Sequence, residues 1–296
     1  MQENIQNNLP NIAIVAGMPR TGTTTLYHNL QKHPSVFVPF RKEIFYFSFY
    51  YDRGEDWYRG LYRNATPGQV CFDISPDYFY DNQVIERIIQ FNPNAKVILG
   101  VRDPVEWILS LYNQLATSNL QILPFEEFIQ RFEFRVGDRK VYVEFQNVVT
   151  RMIEEYQKAF GDNLLLYDFK LFQRDLLSVL RSIELFVGIA PYFEPENFDN
   201  VALNASNRRN SKFVYATINR ENFSHLLHSF FPDRLLRYLR SMYYLTVAKK
   251  EPSDPRRGHS PQNIQLAEEV FAEERLAVAQ LFAEHKMLLG SGIPFP

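Results

Sequence analysis

The sequence predicts an α/β chain. A central parallel β-sheet is flanked by helices, a P-loop-like turn follows the first strand, and the C-terminal part is helical. Three observations carry this expectation. Short apolar runs of buried-strand length recur along the chain. Stretches with helical spacing alternate with them, the pattern of parallel sheets with helices on both faces. Two of the predicted strands run directly into loops that open helices, and in such sheets ligands bind beyond the carboxyl ends of the strands.

The elements follow in order. Residues 12–16, IAIVA, come after a Pro10-Asn11 turn signal and read as a buried strand. The glycine loop GMPRTGTTT comes next. A helix is expected from about Thr23 to Lys32, stopping before His33-Pro34 because proline disfavours a helical residue ahead of it. Residues 70–73 form a second strand candidate. Residues 81–91 read as a helix with Val84, Ile85, Ile88 and Ile89 on one stripe. Residues 96–101, KVILGV, make a strong strand. Asp103 then suits an N-cap and Pro104 the first helical position, with the helix running to about Thr117. Residues 164–167 are another strand, followed by a helical stretch to about Val187. The remainder reads as mostly helical, with a polar loop at residues 204–210. No repeat or low-complexity linker divides the chain, so residues 1–296 are expected to form one domain.

Composition narrows the function classes. The chain is 46% hydrophobic and carries a formal net charge of −2, so no strong field draws it to nucleic acid or an anionic membrane. Aromatics reach 15%, with 26 Phe and 17 Tyr, which suits a deep core. The single cysteine, Cys71, excludes a disulfide framework and a cysteine-based zinc site. The six histidines show no ligand spacing, and no metal is expected. The N-terminal MQENIQNNLP lacks the features of a signal peptide, and no apolar run approaches the ~20 residues of a membrane span. A cytoplasmic protein is the expectation; oligomeric state is not readable.

The two loops carry the chemistry. Gly17, Gly22 and Thr24 fit the pattern G-x-x-x-x-G-K-[ST], but Thr23 stands at the lysine position and Arg20 has entered the loop. Glycines allow a tight turn and close approach to a ligand. The amides of residues 20–24 would form a concave nest backed by a helix N-terminus. Thr23, Thr24 and Thr25 add hydroxyls, and Arg20 adds fixed charge. The lysine that would reach β- and γ-phosphates is missing, and KVILGV is followed by Arg102 where a magnesium-binding acid would be expected. Arg102 and Ser110, two helical turns apart, suit a second, separate phosphate.

Pro19-Arg20-Thr21-Gly22-Thr23-Thr24 resembles the 5′-phosphosulfate loop of sulfotransferases. Val101-Arg102-Asp103-Pro104-Val105-Glu106 with Ser110 resembles their 3′-phosphate motif. The resemblance implies the sulfotransferase fold and the co-substrate 3′-phosphoadenosine 5′-phosphosulfate (PAPS), with the bisphosphate PAP as product and no metal. His33-Pro34 through Lys42-Glu43 to Phe47 is similar to a pattern of the glycan-modifying branch, where the glutamate is the base. The carry-over names Glu43 as base, with Arg20 and Lys42 assisting. Glu43 sits in an aromatic stretch, where burial would make it a better base; the competing reading is an exposed carboxylate paired with Arg41 or Lys42. Ser75-Pro76-Asp77-Tyr78-Phe79 is close to the same branch, but Ile74 occupies the family's lysine position. Asp77 is a lesser base candidate.

Arg208 or Arg209, in the most basic polar loop of the later chain, is expected to reach the 3′-phosphate as part of a lid; the competing reading is a solvated surface loop. The aromatic stretch 45–62, with Asp52, Glu55 and Asp56, is a candidate acceptor cleft. The expected reaction moves a sulfuryl group from PAPS to a hydroxyl, with an amine as second choice, of a glycan or small metabolite. A divergent P-loop kinase using ATP and magnesium and a non-catalytic nucleotide-binding protein are the alternatives.

Overall fold

A computed structural model of the chain describes residues 11–117, 123–136, 139–200 and 254–284. Five parallel strands form its main sheet in the order β2-β3-β1-β4-β7. They are β1 (Ile12–Gly17), β2 (Val36–Phe37), β3 (Val70–Ile74), β4 (Val97–Val101) and β7 (Leu164–Asp168). Every residue of β1 is buried, as expected of a central strand covered on both faces.

The two-residue period of β1 divides the core. Ile12, Ile14 and Ala16 enter one hydrophobic cluster, while Ala13 and Val15 enter the other. The first cluster is covered by α3 (Asn82–Phe91), α4 (Pro104–Thr117), α6 (Val148–Phe160), α9 (Pro261–Val270) and α10 (Ala272–Glu284). The second is covered by α1 (Thr23–Leu30) and α8 (Leu176–Val187). Short helices α2 (Glu55–Gly60), α5 (Phe125–Phe128) and α7 (Phe169–Arg174) complete the series.

The helix and strand expectations hold to within one or two residues where they were made. Helix α1 ends at Leu30, and Asp81 caps α3 by accepting the Gln83 amide at 2.9 Å. Asp103 caps α4 through the amides of Val105 and Glu106, at 3.1 and 3.2 Å. The expected single helical stretch before Val187 is two helices: Asp175 lies between α7 and α8 and caps the second through the Ser178 amide. Of the described residues beyond Val187, read as mostly helical, 189–200 hold no helix while α9 and α10 are helical as expected. An antiparallel hairpin, β5 (Arg131–Val136) with β6 (Arg139–Glu144), and helix α6 were not expected.

Strand order places the site. The chain leaves β1 toward β3 and β2, then returns to add β4 and β7 on the other side of β1. The loops after β1 and β4 therefore diverge at a topological switch point, where a crevice opens beyond the strand ends. Those are the two loops singled out in the sequence.

Candidate active site

The turn after β1 is set by left-handed residues, Arg20 at φ 72° and Gly22 at φ 85°. A Cβ on Gly22 would fall 2.4 Å from the Phe172 ring, so the turn fits against α7 only with glycine there. Thr21 is fully buried; its hydroxyl donates to the Met18 carbonyl at 2.6 Å. Its own carbonyl accepts from the Tyr167 hydroxyl at 2.8 Å. Tyr167 reaches it because β4 carries Gly100, where a Cβ would lie 2.4 Å from the Tyr167 hydroxyl. The Thr21 side chain is thus committed to shaping the loop, and its backbone amide is what remains for a ligand. The first i→i−4 bond of α1 runs from Leu26 to Gly22 at 3.0 Å, and the amides ahead of that bond lie outside the helix's own ladder. Thr23, Thr24 and Thr25 are buried at this helix start.

The second loop meets the first through two arginines. Arg20 Nε donates to Ser110 Oγ at 3.1 Å, and Arg102 Nη1 donates to the Arg20 carbonyl at 3.1 Å. Arg102 is 6% exposed and lies over the Phe169 ring at 4.7 Å. Glu106 Oε2 approaches its Nε at 3.6 Å, beyond hydrogen-bond distance, and that buried N–H has no hydrogen-bond partner. Burial pushes the guanidinium's pKa down, and the charges of Glu106 and Asp103 oppose this. A buried arginine with an unspent donor, next to a serine hydroxyl and a helix start, is suited to an anion. Beyond it, a cavity of about 390 Å³ is lined by Asp103, Asp168, Lys170, Arg275, Val278 and Phe282.

Lys42 and Glu43 lie on the segment between β2 and α2. Lys42 Nζ is 2.5 Å from Glu43 Oε1, with side chains 7% and 33% exposed. Of the two readings of Glu43, the pairing with Lys42 is therefore observed, but on a half-buried carboxylate rather than an exposed one. The Glu43 backbone, at φ 63°, is joined to the end of β3 by its amide, which donates to the Ile74 carbonyl at 3.1 Å. Ile74 is 2% exposed and packs in the second core cluster. Burying this side chain contributes ~1.5–3 kcal/mol, whereas an unpaired ammonium there would cost several kcal/mol. The position is core. Asp77 accepts from Ser48 Oγ at 2.8 Å, and its Oδ1 is buried without a partner. Burial and then the Glu43 charge push its carboxyl well above the usual range, while the Ser48 bond opposes them.

The aromatic stretch is mostly core: Tyr46, Phe47, Tyr58 and Tyr62 are buried, and Tyr46 stacks on Tyr58 with centroids 4.3 Å apart. Asp52, Glu55 and Asp56 are exposed, and Glu55 pairs with Arg59. What remains accessible is a cluster in which Arg53 lies over both Tyr50 and Trp57, at 4.6 and 4.8 Å. Arg208 and Arg209 lie outside the described residues. Tyr167, Gly100 and Phe169 shape or contact the loops and were not singled out in the sequence. A Gly-Val-Arg strand end and a Tyr-Asp-Phe strand end carried the signal, but only strand pairing of β4 with β7 makes them neighbours. Among the described residues no three His, Cys, Asp or Glu side chains converge as a metal set, and no helix is long and apolar enough to cross a membrane.

The chain is similar to known proteins in sequence and in fold. The chain is 39% identical over 108 residues to the membrane-associated sulfotransferase kil1 of Dictyostelium discoideum, covering 36% of this chain and 23% of that one. It is 36% identical over 102 residues to heparan sulfate glucosamine 3-O-sulfotransferase 6 of Mus musculus, covering 34% and 30%. The matched stretch thus spans under a third of the curated relatives' lengths. In overall fold the chain is similar to a sulfotransferase from Alicyclobacillus acidocaldarius, with TM-score 0.53 and 20% identity over 79% of this chain and 96% of that one. It is also similar to the sulfotransferase domain from the curacin biosynthetic pathway, with TM-score 0.51 and 17% identity over 93% and 98%. The model of the sulfotransferase domain matches residues 10–231, most of the chain and both loops, and the chain belongs to that family.

Proposed function

We propose that the protein transfers the sulfuryl group of PAPS to a hydroxyl of a glycan or small molecule, acting as a single domain over residues 1–296. The observation that carries this reading is the coupling of the two loops through Arg20, Ser110 and Arg102. One loop offers amides and threonine hydroxyls to a 5′-phosphosulfate; the other offers Arg102 and Ser110 to a 3′-phosphate. An ATP-dependent kinase would need a cation at Thr23 and an acid at Arg102 for its metal; a neutral hydroxyl and a cation stand there instead. Similarity to a 3-O-sulfotransferase of heparan sulfate glucosamine supports a glycan hydroxyl as acceptor.

In the transfer, the acceptor oxygen forms a bond to sulfur in line with the bond that breaks to the 5′-phosphate. PAP leaves with the bonding electrons, and Glu43 takes the hydroxyl proton. Arg20 and the loop amides balance the charge gained by the leaving phosphate. Lys42 adds a cation beside Glu43, where Ile74 supplies none. Arg208 and Arg209 are proposed to close on the 3′-phosphate.

The test is a thermal-shift titration with PAP and, separately, with ATP and magnesium, followed by PAP release from PAPS with glucosamine oligosaccharides, phenols and amines. PAP at a hundredfold excess over its Kd is expected to stabilise the fold by about 2.7 kcal/mol. Stabilisation by ATP and magnesium alone would replace this reading with a divergent kinase. PAP binding with no release against any acceptor would leave a nucleotide-binding protein without turnover.

A further inference from the structure

One buried group has no part in the chemistry above. Asp73 lies near the end of β3, fully buried between Phe72 and Ile74. A carboxylate there is costly unless its lone pairs are filled. Three hydroxyls occupy three of its roughly four acceptor sites. Ser75 Oγ donates to Oδ1 at 2.6 Å, and Tyr58 and Tyr78 donate to Oδ2 at 3.0 and 2.9 Å.

Two of those hydroxyls have a second task. Ser75 Oγ accepts the Phe45 amide at 3.2 Å, and the Tyr78 hydroxyl accepts the Phe47 amide at 3.2 Å. A hydroxyl has one proton. Committing it to Asp73 leaves only lone pairs for the amides, so the carboxylate fixes the direction of both chains of hydrogen bonds. The segment they hold carries Glu43. Residues 41–45 have no helix or strand to support them. Glu43 and Phe45 also sit at φ 63° and 60°, a conformation that costs about 1–3 kcal/mol each and persists only when its surroundings impose it.

We propose that Asp73 is the positioning residue for Glu43: through Ser75 and Tyr78 it pins the left-handed segment that aims the base. The proposal rests on reading Glu43 as the base. Asp73 touches neither donor loop by any of these bonds, so its effect falls on turnover and not on nucleotide binding.

The experiment compares Ser75→Ala, Tyr78→Phe and Asp73→Asn with Glu43→Gln. Tyr62→Phe serves as control, since it removes a buried hydroxyl that reaches Asp73 only through Tyr58. Three quantities are read: kcat with PAPS and the acceptor active in the panel, Kd for PAP, and amide exchange of Phe45 and Phe47. A displacement of about 1 Å costs on the order of a hundredfold in rate. Asp73→Asn is therefore expected to lower kcat about a hundredfold, and Ser75→Ala and Tyr78→Phe about tenfold each, with Kd for PAP within about twofold of the parent. Amide exchange at Phe45 and Phe47 should quicken in all three and stay slow in Tyr62→Phe and Glu43→Gln. Parent-like kcat and exchange in Ser75→Ala and Tyr78→Phe would overturn the proposal, as would parallel losses of kcat, PAP affinity and melting temperature. Parent-like turnover in Glu43→Gln would instead overturn the base assignment. Exchange needs no acceptor and reads the pinning even where Asp73→Asn folds poorly, through the two milder variants.

Discussion

Arg102 shows what a single residue contributes at the switch point. Its guanidinium spans the Arg20 carbonyl, the Phe169 ring and the Glu106 carboxylate at once. Lysine has the charge but not the planar fork, and its ammonium tolerates burial less well. Arg102→Lys is expected to weaken PAP binding by about tenfold or more, read by calorimetry. Affinity equal to the parent's would mean that charge alone suffices at this position. The type of Arg102 was legible in the sequence because it ends an apolar strand. Its partners were not, since Arg20 lies 82 positions away. Ile74 is the converse case. The sequence marked it as a missing cation, and packing makes it a core residue that β3 needs.

At the scale of elements, caps and periodicity were the readable signals. Asp81 precedes a strongly amphipathic helix and accepts the Gln83 amide, satisfying a donor the helix leaves open. Asp81→Ala should cost about 1 kcal/mol in thermal unfolding and leave PAP affinity unchanged. A loss of affinity would tie α3 to the nucleotide site. The β5–β6 hairpin was missed for a physical reason. Only RFEFRV alternates charged with apolar residues while RKVYVE does not, and among the described residues the two strands pair only with each other outside the main sheet. Helix α6 was missed although its apolar residues recur at helical spacing. Its cap position holds Asn147 at φ 57° with no side-chain capping bond, so the local start signal is weak.

The cap that α6 lacks comes from across the molecule. Glu274 of α10, 3% exposed, accepts the amides of Val149 and Thr150 at 2.7 and 3.2 Å. Burial pushes its carboxyl up from an ordinary 4.5 to about 7, against the pull of those amides. A carboxyl raised on folding binds a proton more readily in the native state, so its contribution is full below pH 4.5 and is lost as pH rises through about 7. Asp73, raised by burial from 3.8 to about 6, acts in the same direction. Stability measured by denaturant unfolding should therefore decline from pH 4.5 to 7 where these groups dominate. Glu274→Gln, which keeps an acceptor oxygen, should flatten that slope; an unchanged slope would show that Glu274 does not titrate in this range.

By itself the sequence determined four of the main sheet's five strands, all but β2, together with the two loops that leave it and the residue types those loops present. These are local properties: hydrophobic period, glycine and proline placement, and charge at a strand end. The tertiary structure alone decided which atoms meet. Strand order put the loops after β1 and β4 beside each other, and the pairing of β4 with β7 put Tyr167 under the first loop. A buried carboxylate in β3 became a support for Glu43 through residues that lie far apart in sequence. Such contacts depend on long-range closure of the chain, which no local pattern encodes.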